Sequence, residues 1–131
     1  MELRASGEDY LEAVLILGHR MSQVRAIDVA QYLGFAKTSV SHGLRLLRQG
    51  GFLTRDPNGY LYLTEIGLET AEKIYAKHRF FTRWLIEAGV APDTAEKDAC
   101  RMEHAISEES FRKLMQALEH PRNPPSRGIG G

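Results

Sequence analysis

Residues 26–63 read AIDVAQYLGFAKTSVSHGLRLLRQGGFLTRDPNGYLYL, and the changes of hydrophobic period within them set the architecture. Ala26 to Leu33 has the pattern of a short helix, and Gly34 supplies the left-handed residue that ends it. A turn later, Lys37 or Thr38 opens a further helix. There Val40, Gly43, Leu44 and Leu47 fall at i, i+3, i+4 and i+7, one buried stripe, until Gly50-Gly51 stops it. Phe52-Leu53-Thr54-Arg55 and Tyr60-Leu61-Tyr62-Leu63 then flank Asp56-Pro57-Asn58-Gly59, the composition of a tight turn between two short strands.

Working outward, Ser6 with Asp9 three residues on reads as a capping box opening a first helix from about Gly7 to Arg20. Its apolar residues lie nearly all round the cylinder, which implies burial on more than one side. Downstream of Thr64 the period returns to that of a helix. Ala71, Ile74, His78, Phe81 and Leu85 form a seam that runs to about Ala88, with Gly89 as the stop. Pro92 opens a helix to about Ile106, and Ser107 restarts a last one through Leu114, Met115 and Leu118, ended by Pro121. The expected division is 1–64, 65–120 and a Pro- and Gly-rich tail, 121–131, of disordered composition.

The chain has 131 residues, 17 basic and 17 acidic side chains and one cysteine. That cysteine cannot close an internal disulfide, no signal-peptide pattern opens the chain, and no apolar run approaches the ~20 residues of a membrane span. A cytoplasmic protein with no membrane segment is expected. The zero net charge conceals a basic segment. Between Arg20 and Arg55 six cations (Arg20, Arg25, Lys37, Arg45, Arg48, Arg55) stand against Asp28 alone. Such asymmetry suits an anionic partner for one part of the chain, or else a solvated basic face.

Three helices followed by a hairpin is the order of a winged helix-turn-helix. Ala30 permits close approach of its two helices, Gly34 turns between them and Val40 fills their angle. With Val40, Leu44 and Leu47 inward, Thr38, Ser39, Ser41, His42 and Arg45 face outward near the start of the third helix, where such helices meet base edges. Arg25, Lys37, Arg48, Arg55 and Asn58 at the wing tip are placed to hold phosphates. His42 could equally be a surface histidine.

Cys100, Glu103 and His104, at i, i+3 and i+4, share one helix face and bring together a thiol, a carboxylate and an imidazole. Those donor types can ligate one transition ion. The plainer alternative is a buried cysteine beside an exposed Glu-His pair. Asp9 and Glu12 lie three apart on the first helix, where helix capping explains Asp9 better than Glu12. His78 occupies a seam position where an apolar residue is expected, as a satisfied core histidine or as a further ligand.

A winged helix, Glu8-Asp9-Tyr10-Leu11-Glu12 on helix 1, a mid-helix His78 and Cys100-Arg101-Met102-Glu103-His104 together resemble the diphtheria toxin repressor family, particularly its shorter manganese transport regulator branch. The resemblance extends to about Leu118. It implies a metal site of Asp9, Glu12, His78, Glu103 and His104, with Cys100 where the manganese branch has Glu and the iron-responsive branch has Cys. Thr82 and Glu96 stand where iron-responsive relatives carry Glu and His, so their second site is not assigned.

The expected fold is mainly α with a small β-hairpin wing: a winged helix-turn-helix followed by an α-helical dimerisation domain. The expected function is a homodimeric, metal-dependent transcriptional repressor of metal-uptake genes, acting on a palindromic double-stranded DNA operator. Fe(II) or Mn(II) is the expected ion, with Co(II), Ni(II) or Zn(II) able to replace it in vitro. One rival is a winged-helix regulator whose helical half senses an organic ligand or a partner protein. The other, a catalytic metal centre, lacks any accompanying nucleophile motif or phosphate loop, so no enzyme is expected.

Overall fold

A computed structural model describes residues 5–119. The elements run α1 (Ala5–Arg20), α2 (Ala26–Leu33), α3 (Lys37–Gln49), β1 (Leu53–Arg55), β2 (Leu61–Leu63), α4 (Glu65–Glu87), α5 (Pro92–Ala105) and α6 (Glu108–Glu119). The chain falls into two compact units, one ending at Phe80 and the other beginning at Phe81. That division lies inside α4, not at 64/65 where the hydrophobic period changes. Pro121 and the tail 121–131 lie outside the described residues.

In the first unit the stripe Val40, Leu44 and Leu47 is fully buried, together with Leu11, Val14, Val29 and Ala30 from α1 and α2. Ala71 of α4 joins the same core. Gly34 adopts φ 72°, the left-handed turn its position requires. Tyr10 fixes how α1 meets α3: its ring occupies the space that a Cβ on Gly43 would fill.

Strands β1 and β2 pair antiparallel, with Leu53 opposite Leu63 and Arg55 opposite Leu61. The Asp56 and Tyr60 backbones continue the ladder (3.0 Å), leaving the loop Pro57-Asn58-Gly59. A feature with no signature in the sequence pattern is Val24, whose carbonyl accepts from Leu61 N–H at 2.8 Å and adds an isolated third bridge. The Asp56 carboxylate organises the turn. It accepts from the backbone N–H of Tyr60 and Asn58, both at 2.9 Å, and from the Tyr62 hydroxyl at 3.1 Å.

Thr64 joins the wing to α4. Its hydroxyl donates to the Gly51 carbonyl at 2.6 Å and accepts from Gly67 N–H at 3.0 Å, capping the helix. Gly67 lies so near the Phe52 carbonyl that a Cβ would collide with it.

In the second unit Phe81 packs its ring 5.8 Å from Phe111 and 6.4 Å from Trp84. Ala95 and Ala99 are the buried small residues of α5. Pro92 opens α5, and Ser107 Oγ accepts from Ser110 N–H at 3.0 Å to cap α6.

One sequence expectation is corrected. Helix α1 already includes Ala5 and Ser6, so Ser6 is not its cap, and Glu8 rather than Asp9 is the acid of its first turn. The Ser6–Asp9 capping box is therefore absent, and with it the capping explanation of Asp9. In α6 the buried residue is Phe111. Leu114 and Met115 are half-buried and Leu118 is 45% exposed.

Replacing Gly67 with Ala should lower stability by ~1–3 kcal/mol, the range of overpacking, despite alanine's better helix propensity. A urea unfolding midpoint equal to that of the native chain would contradict this close approach. The wing carries its own pH dependence. The N–H of Tyr60 foremost, then the Tyr62 hydroxyl and the N–H groups of Asn58 and Gly59, hold the Asp56 carboxyl below its ordinary 3.8, against a smaller opposing effect of desolvation. The same contact raises the Tyr62 phenol above 10.0. A depressed folded-state value stabilises the wing above the ordinary carboxyl value, and this is lost as pH falls through the depressed one. Carboxyl NMR of Asp56 should show titration below 3.8, with Tyr60 amide protection lost over the same range. Titration at or above 3.8 would contradict it.

Candidate nucleic-acid interface and metal-ligand clusters

Helix α3 presents its polar face because its apolar stripe is committed to the core. Lys37, Thr38, Ser39, Ser41, His42 and Arg45 are all exposed. Between this face and the wing lies a groove of about 570 Å³. Lys37, Thr38, Ser41, His42, Arg45, Arg48 and Arg55 line it, with apolar Ala26, Leu44 and Leu61 behind them. Four of its lining residues are cations and none is an acid. The groove thus has the charge and the short donors that suit a nucleic-acid backbone and base edges.

Other expected DNA contacts lie outside that lining. Ser39 is exposed on α3, and Asn58 is exposed at the wing tip. Arg25 stacks on Tyr60, its guanidinium carbon 4.5 Å from the ring centre, and donates to the Tyr60 hydroxyl at 3.2 Å. The aromatic face steers this cation, a role that the hairpin reading of Tyr60 did not anticipate. Asp28, the one acid of the basic segment, accepts the Arg25 backbone N–H at 2.9 Å, so its charge answers the dipole of α2. His42 is tied to Arg45: Arg45 Nη2 lies 2.9 Å from His42 Nδ1.

The ligand candidates form a cluster in each unit. On α5, the Cys100 thiol, the Glu103 carboxylate and the His104 imidazole each offer a donor atom within 4.8 Å of the others. His104 Nε2 stands 3.7 Å from Glu103 Oε2, and Glu103 is only 2% exposed. In the first unit, Glu12 of α1 and His78 of α4 bring donors within 4.8 Å of one another, and Glu12 is 6% exposed. Asp9, one turn before Glu12, is half-buried. The alternative reading of an exposed Glu-His pair fails at Glu103. A thiolate, carboxylates and imidazoles are the donor types that first-row divalent ions take, and this set fits such an ion.

Residues 64–128 match the family model described as "Iron dependent repressor, metal binding and dimerisation domain". An uncharacterized HTH-type transcriptional regulator of Methanocaldococcus jannaschii is 32% identical over 114 residues, covering 86% of this chain and 91% of that protein. The transcriptional regulator MntR of Escherichia coli O6:H1 is 31% identical over 104 residues, 79% of this chain and 67% of its own length. A solved structure described as a manganese-dependent transcriptional repressor in complex with manganese superposes with a TM-score of 0.78 at 24% identity, over 91% of this chain. The chain spans about half the length of that structure (55%). Among the described residues no helix is long and apolar enough to cross a membrane. The helix order, the wing, the clustered donor groups of α5 and these relatives agree: the chain belongs to the diphtheria toxin repressor and manganese transport regulator family of metal-dependent transcriptional regulators.

Proposed function

We propose that this chain is a metal-activated, homodimeric repressor that binds a palindromic DNA operator and controls genes of metal-ion uptake in the cytoplasm. The observation that carries this reading is the convergence of Cys100, Glu103 and His104 on α5 in a chain that also bears, beside its outward helix, a groove lined by four cations and no acid. In this reading residues 1–64 form the DNA-reading part and 65–120 the metal-binding and dimerisation part. Relatives described as a manganese-dependent repressor and as an iron-dependent family support Fe(II) or Mn(II) as the effector.

Asp9, Glu12, His78, Cys100, Glu103 and His104 would hold the ion. When bound it supplies positive charge to carboxylates and a thiolate that burial otherwise penalises. The protein's own residues do the rest. Helix α1 carries Asp9 and Glu12, and Tyr10 between them packs against Gly43 of α3, so the placement of α1 is coupled to that of the recognition helix. Thr38, Ser39, Ser41, His42 and Arg45 read base edges, while Arg25, Lys37, Arg48, Arg55 and Asn58 hold phosphates. Trp84, Ile86 and Leu118 are large apolar side chains left exposed in the second unit, and they suit a contact with a second copy. Two recognition helices ~34 Å apart then meet successive major grooves of a palindrome.

In a DNA-binding titration, the chelated protein should gain ~5–150-fold in affinity, a coupling of ~1–3 kcal/mol, on addition of Mn(II) or of Fe(II) under nitrogen. Co(II) and Zn(II) added in turn rank the remaining ions. The gain should vanish in His104→Ala. Affinity indifferent to chelator would favour an organic ligand or a partner protein as the effector. Arg48→Ala should weaken binding to all sequences alike and lower the salt slope by about one, whereas Ser39→Ala should change sequence preference. Unequal losses across sequences for Arg48→Ala would remove it from the phosphate contacts.

A further inference from the structure

We propose that His42 and Arg45 act as one reading unit, with His42 a positioning residue that holds the Arg45 guanidinium toward a guanine edge. This deepens the DNA-binding reading above and rests on it. Arg45 Nη2 and His42 Nδ1 are 2.9 Å apart. A guanidinium has donors only and keeps its charge, so Nδ1 is the acceptor and the neutral ring carries its proton on Nε2. The i, i+3 spacing puts both side chains on one face of α3, and both line the groove with Thr38 and Ser41.

The chemistry of the tether matters. A carboxylate would hold Arg45 more tightly, but it would place a negative charge against DNA and consume the guanidinium fork. A neutral imidazole takes one N–H, adds no negative charge, and leaves further donors of the fork for guanine O6 and N7. None of the residues lining the groove is acidic, so no carboxylate there competes for Arg45. Lys37, Arg48 and Arg55 supply cationic charge around the pair without sharing its hydrogen bond. The unit presents donors outward, which matches guanine and opposes cytosine, whose exposed major-groove group is itself a donor.

The test is binding-site selection from randomised duplex DNA with the full chain and Mn(II), comparing native protein with Arg45→Ala, His42→Ala, His42→Asn and the Arg45→Ala/His42→Ala double variant. Arg45→Ala should lose ~10-fold or more of guanine preference at one base pair of each half-site. His42→Ala should lose preference at the same base pair, and the double variant should lose no more than Arg45→Ala. His42→Asn places a neutral carbonyl oxygen near the former Nδ1 position and should restore the preference, an outcome that mere surface packing of His42 does not give. Selective binding by the native chain with guanine preference intact in His42→Ala, or losses that multiply in the double variant, would overturn this inference alone. Absence of selective binding by the native chain with Mn(II), Fe(II), Co(II) or Zn(II) would overturn the DNA-binding reading and this inference with it.

Discussion

Two carboxylates in places where a helix ordinarily buries apolar atoms are the constraint on which the rest of the molecule depends. Glu12 lies between Leu11 and Ala13 in α1 and is 6% exposed, and Glu103 on α5 is 2% exposed. Taking a carboxylate from water costs several kcal/mol unless charge and donors around it compensate. Each of these acids has an imidazole within reach, His78 for Glu12 and His104 for Glu103, and Glu103 also has the Cys100 thiol. A core built for stability alone would carry leucine at such positions. The residues present favour ligand chemistry instead.

In the proposed reading that chemistry bears on DNA through the first unit. Helix α1 is a core element of the reading head, with Leu11, Val14 and Leu15 packed in the same cluster as Val40, Leu44 and Leu47 of α3. It also carries Asp9 and Glu12. Tyr10, lodged against Gly43, leaves little slack between the two helices, so a force applied to the α1 acids reaches the recognition helix through packed atoms. On the opposite face of α3 the polar side chains have no core role and are available to a partner. In the proposed reading their cationic neighbours Lys37, Arg48 and Arg55 would supply the sequence-independent attraction on which base reading is built.

Much of this was legible from residue order because the reading head obeys short-range rules. The bounds of α2, the left-handed Gly34, the stripe on α3 and the turn at Asp56 to Gly59 each follow from a few adjacent residues. The α5 donors were legible for the same reason, since i, i+3, i+4 spacing fixes a helix face. What escaped depends on partners distant in sequence. Val24 pairs with Leu61 as an isolated bridge, without strand periodicity. Thr64 reaches back to Gly51, and Arg25 finds Tyr60, 35 positions away. The Ser6–Asp9 pattern matched a capping box by composition, but α1 had already begun at Ala5. Phe111 and Leu118, seven residues apart, share one face of α6, and it is the ring of Phe111 that packs on Phe81 while Leu118 stays 45% exposed.

The X-ray absorption spectrum of the zinc-loaded chain tests the ligand chemistry of this fold most directly. A sulfur neighbour at ~2.3 Å and imidazole nitrogen at ~2.0–2.1 Å should surround the ion, with the sulfur shell replaced by oxygen in Cys100→Ser. A shell of oxygen alone in the native chain, unchanged by that substitution, would contradict it.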